Sequence, residues 1–314
     1  MTKILISGTS GFLAPRIASK LLDSGHEVWG IERYVTGRTN YHKDNRLNKF
    51  FCDLNDHSMI RHIIRMYQPE AVFHLGAMSP VSFSYERPQT YIDANFKATV
   101  NLAEACMREV DGFKHFLFAG TSEEYGNQKS FPIKEDAHLY PNSPYAVSKV
   151  SSDLYLNFMK DAYGFPVTIC RPFNTYGRVG TTHFVTERII SQCLNSEESL
   201  RLGDPEPIRD LMFRNDHVDA YLSVFNNPEQ SIGEVFNFCT GQGVTIRQLV
   251  EMIIEKTDYK GEVLWNTIPK RPLDIDTLIG DNSKAWQKLK WEPKYSLSEG
   301  LDQTITELKM HGLR

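Results

Sequence analysis

The sequence has no apolar run near the ~18 uninterrupted residues that a membrane-spanning helix needs, so no membrane partner is expected. Cysteine is sparse and badly spaced for chemistry. Cys52, Cys106, Cys170, Cys193 and Cys239 are odd in number and form no CxxC pair. They supply neither a disulfide framework nor a zinc site, and they suit a reducing compartment. The ten histidines add nothing: His57 and His62 stand five apart on an expected helix and so face different sides. No metal is expected. Charge of one sign is also missing. Lys and Arg total 35 against 39 Asp and Glu, a net charge of -4 that gives no electrostatic case for nucleic acid. The opening stretch, MTKILISGTSGFL, reads directly as a strand and lacks the pattern of a cleavable leader, so a cytoplasmic location is expected. No internal repeat, low-complexity tract or flexible linker interrupts the 314 residues. With 41% hydrophobic and 24% charged residues, the composition is that of a globular protein with one large domain or two intimate ones.

What is present is an alternation. Lys3–Ser7, Glu27–Ile31, Asn48–Asp53, Ala71–Leu75, Phe116–Ala119 and Pro166–Cys170 read as short β-rich strands. Between them lie helical patterns: a helix ending near Ser24, Asp56–Tyr67 with Ile60, Ile63, Ile64 and Tyr67 on one face, Pro88 to about Val110, and Pro144 to about Ala162. Strands alternating with helices predict an α/β fold, a Rossmann-type doubly wound parallel sheet covered on both faces. After Arg171-Pro172 the pattern changes. Loops over Asn174–Thr182 and Gly203–Asp210 break it, and three amphipathic helices follow at Thr245–Lys256, Ser283–Leu289 and Ser298–His311. The expected division is residues 1–172 for the cofactor domain and 173–314 for a smaller, interleaved substrate domain. Segments such as Glu234–Phe238 are expected to return to the first sheet.

The first strand–helix junction reads ISGTSGFLA. Gly8, Gly11 and Ala14 form a Gly-x-x-Gly-x-x-Ala turn, which lets backbone approach a diphosphate at a helix N-terminus. Pro15 falls in the first helical turn, where its missing N–H costs little. This predicts NAD or NADP. The second strand ends GIERY, offering Glu32 to bind a ribose hydroxyl and Arg33 to welcome a 2′-phosphate. Glu32, taken as the tip residue, favours NAD. Asp53 either reaches the adenine or caps the following turn.

The apolar run Phe116–Ala119 stops at Gly120 and is followed by Thr121, Ser122, Glu123 and Glu124. Alone, that reads as a helix start, since hydroxyls and carboxylates cap N-termini. Downstream, SPYAVSK carries Tyr145 and Lys149 at i, i+4, on one helical face. A lysine beside a phenol lowers its pKa and makes Tyr145 a usable proton acceptor.

Together, SGTSGFLA, CDL, HLGA, TSEEYG, SPYAVSK and RPFNTYG resemble the extended short-chain dehydrogenase/reductase superfamily in its nucleotide-sugar branch. LGDPEPIRDL, FNFCTGQGVTIRQLV and RPLDIDTLIGDNSKAWQKLKWEP extend the resemblance across the chain, and TSE, FVTERI and LIGDNSKAWQKLKW look most like GDP-mannose 4,6-dehydratases. The resemblance implies cofactor contacts from Gly8, Gly11, Phe12, Leu13, Glu32, Arg33, Asp53, Leu54, Leu75, Ala77, Tyr145 and Lys149. It implies C4 oxidation, loss of water across C5 and C6, and hydride return to C6. Tyr145 would serve O4, Thr121 would steady the alkoxide, and Glu123 would be the C5/C6 proton-transfer group. Ser122 stands where dehydratases of another nucleotide sugar carry Asp, and Glu124 is left as a helix-start carboxylate. Simple epimerases and reductases need only the hydroxyl and the Tyr/Lys pair, so Glu123 is the residue on which a dehydratase rests. A C4 epimerase, a 4-keto-sugar reductase, a decarboxylase and a non-catalytic NAD(P)-binding regulator are the alternatives.

On the substrate side, the resemblance implies that Asn174, Arg209 and Arg271 hold the nucleotide diphosphate; guanidinium forks suit phosphate oxygens. Asp210 and Asp274 are near enough in sequence to make these arginines ordinary ion pairs instead. Val185 and Arg188 fall where the dehydratase motif faces guanine, so a GDP-sugar is the preferred partner. Arg214 stands where relatives usually carry an apolar residue. A homodimer is implied, pairing Pro88–Val110 with Pro144–Ala162.

Overall fold

The computed structural model describes residues 1–33, 44–195 and 198–311. Its strands in chain order are β1 (Lys3–Ser7), β2 (Glu27–Glu32), β3 (Asn48–Phe51), β4 (Ala71–His74), β5 (His115–Ala119), β6 (Val167–Pro172), β7 (Asn174–Tyr176), β8 (Ser199–Arg201), β9 (Ile208–Phe213), β10 (Val235–Phe238), β11 (Gly243–Thr245), β12 (Glu262–Leu264) and β13 (Thr277–Leu278). Seven of these form one parallel sheet in the order β10-β6-β5-β4-β1-β2-β3. From β1 the chain builds outward through β2 and β3, then restarts at β4 on the other side. The order therefore reverses between β1 and β4, and a crevice opens at their carboxyl ends.

The pleat sorts the core. Ile4 and Ile6 join Ile17, Leu21, Val218, Tyr221 and Ala285 on one face, while Leu5 joins Ile60, Ile64, Leu102, Cys106 and Leu156 on the other. Both faces are buried, which is why the strands read as apolar runs without alternation. The flanking helices start where the sequence caps them. Asp56 accepts the Met59 N–H at 3.0 Å ahead of His57–Tyr67, and Ser143 accepts Ala146 N–H at 3.1 Å ahead of Pro144–Tyr163.

Two expectations are revised. The helix expected from Pro88 to Val110 is broken into Pro88–Tyr91, a π-helical turn Ile92–Lys97, and Ala98–Glu109. The widened turn carries Asn95, whose side chain accepts from Met78 N and donates to Met78 O and Ser148 Oγ. The loops expected at 174–182 and 203–210 contain β7 and the start of β9.

Beyond residue 172 the chain serves both lobes. β10 pairs with β6 in the main sheet, and helices Arg214–Asn226 and Ser283–Leu289 pack on the Ile4 face. The second lobe holds β7, β9, β11 and β13, the β8–β12 pair, and helices Val185–Leu194, Ile246–Thr257 and Leu297–His311 around Ile189, Phe213, Leu249 and Leu301. All five cysteines are buried thiols. Among the described residues no helix is long and apolar enough to cross a membrane.

Candidate active site

The crevice is built first from backbone. Gly8 has φ +78°, and a Cβ there would lie 2.7 Å from the Gly76 Cα, so the turn closes directly on the HLGA segment. The following helix, Ala14–Asp23, has no side-chain cap at Leu13, which leaves its first N–H groups ready for an anion. Gly8, Gly11, Phe12, Leu13, Leu75 and Ala77 line this part of the cleft. The cradle fits a dinucleotide diphosphate.

An adjoining cavity is lined by Ser10, Arg33, Asp53, Leu54 and Ala77. Asp53 also accepts the Asn55 N–H at 2.9 Å, so it caps its turn and faces the cavity. Glu32 departs from expectation. Its carboxylate is buried, accepting from Thr9 Oγ1 at 3.1 Å and pairing with Lys49 at 2.7 Å. Arg33, one residue on, lines the cavity instead. The expectation that Glu32 binds the ribose is revised, since β2 extends through Glu32 and its carboxylate is already engaged, while the use of NAD(P) stands.

Thr121, Ser122, Glu123, Tyr145 and Lys149 all line the same cleft, beyond the end of β5. The capping reading of Thr121 holds at the same time. Its hydroxyl accepts Glu123 N–H at 3.3 Å and its own N–H donates to Glu124 Oε1 at 2.9 Å, a reciprocal capping box on the short turn Ser122–Tyr125. Glu123 lies within electrostatic reach of Tyr145, Arg209 and Arg271.

The charge state of Tyr145 corrects the sequence argument. Burial pushes its phenol well above the usual range; a hydrogen bond with Thr121 and the charge of Arg178 act in the lowering direction, and Glu123 and Glu124 in the raising direction. Lys149 instead donates to the Ala119 carbonyl at 2.7 Å, and burial brings its own pKa down to about 8. Near neutrality the lysine, rather than the phenol, is the group poised to titrate.

Asn174 lines the cleft, and its Oδ1 is buried without a hydrogen-bond partner. Arg209 and Arg271 converge on Asp274, at 3.7 Å from Arg209 and in a short contact with Arg271. Asp210, the other acid considered, is taken up by Thr240 and Gly241 N–H groups at 2.8 and 2.9 Å. Val185 and Arg188 stand at the start of helix Val185–Leu194 and are not among the residues lining the cleft; Phe184 is. Arg214 is buried, donating to Gly177 O and pairing with Glu307, so its charge is satisfied inside the protein.

Sequence reasoning missed several residues. Arg178 lines the cleft with its guanidinium between the rings of Phe12, 4.5 Å away, and Phe184, 3.8 Å away. His217 and Tyr221 also line it. His217 Nδ1 lies 2.7 Å from Thr175 Oγ1, and burial, then Arg178, lowers its pKa to about 3. None of these stands at a spacing that announces chemistry. A buried polar chain was also missed: Ser7 Oγ to His74 Nδ1 at 2.7 Å, His74 Nε2 to Thr99 Oγ1 at 2.9 Å, Thr99 to the Asn95 carbonyl, and Asn95 to Ser148. It ties the glycine-turn strand to the helix bearing Tyr145. The signal was His74, a polar residue ending an otherwise apolar strand.

Fold and cleft together define a Rossmann-type enzyme of the extended short-chain dehydrogenase/reductase superfamily, in the NAD(P)-using branch that modifies nucleotide sugars. Within it, the chain belongs to the family described as GDP-mannose 4,6 dehydratase, whose model matches residues 5–304. Its relatives span two reactions. A GDP-mannose 4,6-dehydratase of Yersinia enterocolitica is 28% identical over 100% of this chain and 96% of that protein. A UDP-glucose 4-epimerase of Mycolicibacterium smegmatis is 30% identical over 96% of this chain and 97% of that one. Among solved structures, a UDP-glucose 4-epimerase of Thermotoga maritima with UDP-glucose superposes with a TM-score of 0.90 at 32% identity, covering 98% of both chains. A UDP-glucose 4-epimerase of Thermus thermophilus in complex with NAD gives 0.89 at 26% identity, covering 98% of this chain and 99% of that one.

Proposed function

We propose that this protein is a nucleotide-sugar 4,6-dehydratase acting on a GDP-hexose with NAD(P). The observation that carries this reading is Glu123: a carboxylate in the cleft wall, two residues after Thr121, within electrostatic reach of the Tyr145 phenol and of two arginines. A hexose whose diphosphate meets Arg209, Arg271 and Asn174 would lie with its ring between Glu123 and Tyr145. Tyr145 takes the O4 proton, with Thr121 hydrogen-bonded to the forming alkoxide and the charges of Arg178 and Lys149 favouring the phenolate. When bound, NAD(P)⁺ would accept the hydride from C4 and, once reduced, return it to C6, and its oxidised form would add a positive charge. The 4-keto group acidifies C5–H. Glu123 removes that proton and returns it to the C6 hydroxyl as water leaves, so one carboxyl serves as base and then acid.

A second reading, C4 epimerisation, is favoured by the UDP-glucose 4-epimerases among the relatives. It needs Thr121 and Tyr145 but gives Glu123 no task. Incubation with GDP-mannose and catalytic NAD(P) separates the two. The dehydratase yields a product lighter by one water with a 4-keto group; a product of unchanged mass with inverted C4 overturns it.

The division at residue 172 is proposed as functional: residues 1–172 hold cofactor and catalytic groups, and residues 173–314 mainly the nucleotide sugar. We also propose a homodimer. Val147, Leu154 and Phe158 are exposed apolar residues along one side of helix Pro144–Tyr163, at spacings of seven and four. Leu154→Glu with Phe158→Glu should halve the mass measured by light scattering; an unchanged mass removes this face as the interface.

A further inference from the structure

Glu123 and Glu124 are adjacent in the sequence and separate in the fold. Glu123 lines the cleft, whereas Glu124 is wholly buried beneath it. Glu124 Oε1 accepts the Thr121 N–H at 2.9 Å, and it lies over Gly120 so closely that a Cβ there would come within 2.8 Å of it. Glu124 Oε2 is 3.1 Å from Arg171 Nε, but that N–H is donated to Asp153 Oδ2 at 3.0 Å, and Nη2 donates to the same oxygen at 2.8 Å. Oε2 is left buried with no donor. Two carboxyl groups thus meet one guanidinium nitrogen, Glu124 from the turn after β5 at 3.1 Å and Asp153 from helix Pro144–Tyr163 at 3.0 Å. The remaining titratable groups around Glu124 are Lys149 and Tyr145 on that helix and Glu123 and Tyr125 on its own turn.

A carboxylate oxygen buried there without a hydrogen-bond donor carries a desolvation penalty. A proton on Oε2 converts it into a donor with Asp153 as acceptor. Two carboxyls so close and so buried do not both ionise. We propose that Glu124 is the positioning residue of the catalytic turn, held as the neutral acid with its proton donated to Asp153, fixing Thr121 without placing a negative charge beneath Tyr145 and Lys149. Burial and then the charge of Asp153 push the Glu124 carboxyl well above its usual range, in the same direction. The inference rests on the proposed roles of Thr121 and Tyr145 in C4 oxidation. Dehydratases and epimerases share that step, so failure of the elimination reading leaves it standing.

Glu124→Gln keeps an acceptor for Thr121 and a donor for Asp153; Glu124→Leu keeps neither. The infrared difference spectrum of the parent minus Glu124→Gln at neutral pH should contain a protonated-carboxyl stretch. Carboxylate bands in its place overturn the proposal. With GDP-mannose and UDP-glucose as probes, reduction of bound NAD(P) in Glu124→Gln should stay within about threefold of the parent, and in Glu124→Leu fall at least about tenfold at unchanged cofactor affinity. A Leu variant as fast as the parent, or equal losses in both, overturns it. If Glu124→Leu does not fold, the infrared band and the Gln variant decide.

Discussion

The two halves of the cleft are built on different physical plans. The cofactor half is made of backbone: a turn closed on Gly8, an uncapped helix start and the apolar rims Leu75 and Ala77. The half proposed for the nucleotide sugar draws on side chains from distant segments: Asn174 on β7 lines the cleft, while Arg209 on β9 and Arg271 before β13 are not among its lining residues and are held together by Asp274. Backbone amides recognise any diphosphate of the right shape. Convergent side chains can select a particular substrate. The seam between the halves is the end of β5, and there lie both the residues proposed for catalysis and the buried Glu124–Arg171–Asp153 cluster.

The sharpest way to break this division is to remove a substrate-half arginine. Arg209→Ala or Arg271→Ala should weaken nucleotide-sugar binding roughly 10- to 100-fold, the worth of a charged hydrogen bond, with cofactor binding unchanged by calorimetry. Equal losses for both ligands would erase the distinction. The seam has its own signature in pH. Burial disfavours the charge of Lys149 and brings its pKa down to about 8. As pH rises through that value the ammonium is lost, and single-turnover cofactor reduction should fall about tenfold per pH unit. A rate that climbs through the same range would make the neutral amine the working form. The smallest effect belongs to the cofactor half. Arg33→Ala should lower NADP affinity about tenfold and leave NAD within about twofold, because only the 2′-phosphate gains from that guanidinium. Equal effects on both cofactors would remove Arg33 from the 2′ position.

The same contrast explains what was legible in the sequence. The main sheet could be read because its strands are buried on both faces and its helices carry caps such as Asp56 and Ser143. That Thr121, Glu123, Tyr145 and Lys149 meet in one cleft could be read because each follows a strand or shares a helical face. β7, β9 and β13 were illegible because strands of two to six residues pair across long sequence gaps. Glu32 misled because strand pairing carries β2 one residue further than its composition suggests, turning that carboxylate toward Lys49. Tyr145 misled because spacing reports a neighbour's charge but not the burial that outweighs it. Arg178 and His217 could not be read at all, since their place in the cleft depends on how two lobes close.

The central claim is that Glu123 separates elimination from oxidation, and Glu123→Gln in a single turnover with GDP-mannose tests it most directly. Reduced cofactor should form at close to the parent rate and then accumulate, with loss of water slowed by roughly a thousandfold. A variant that still releases the dehydrated 4-keto sugar at the parent rate would show that another group takes the C5 proton, and the account would fail.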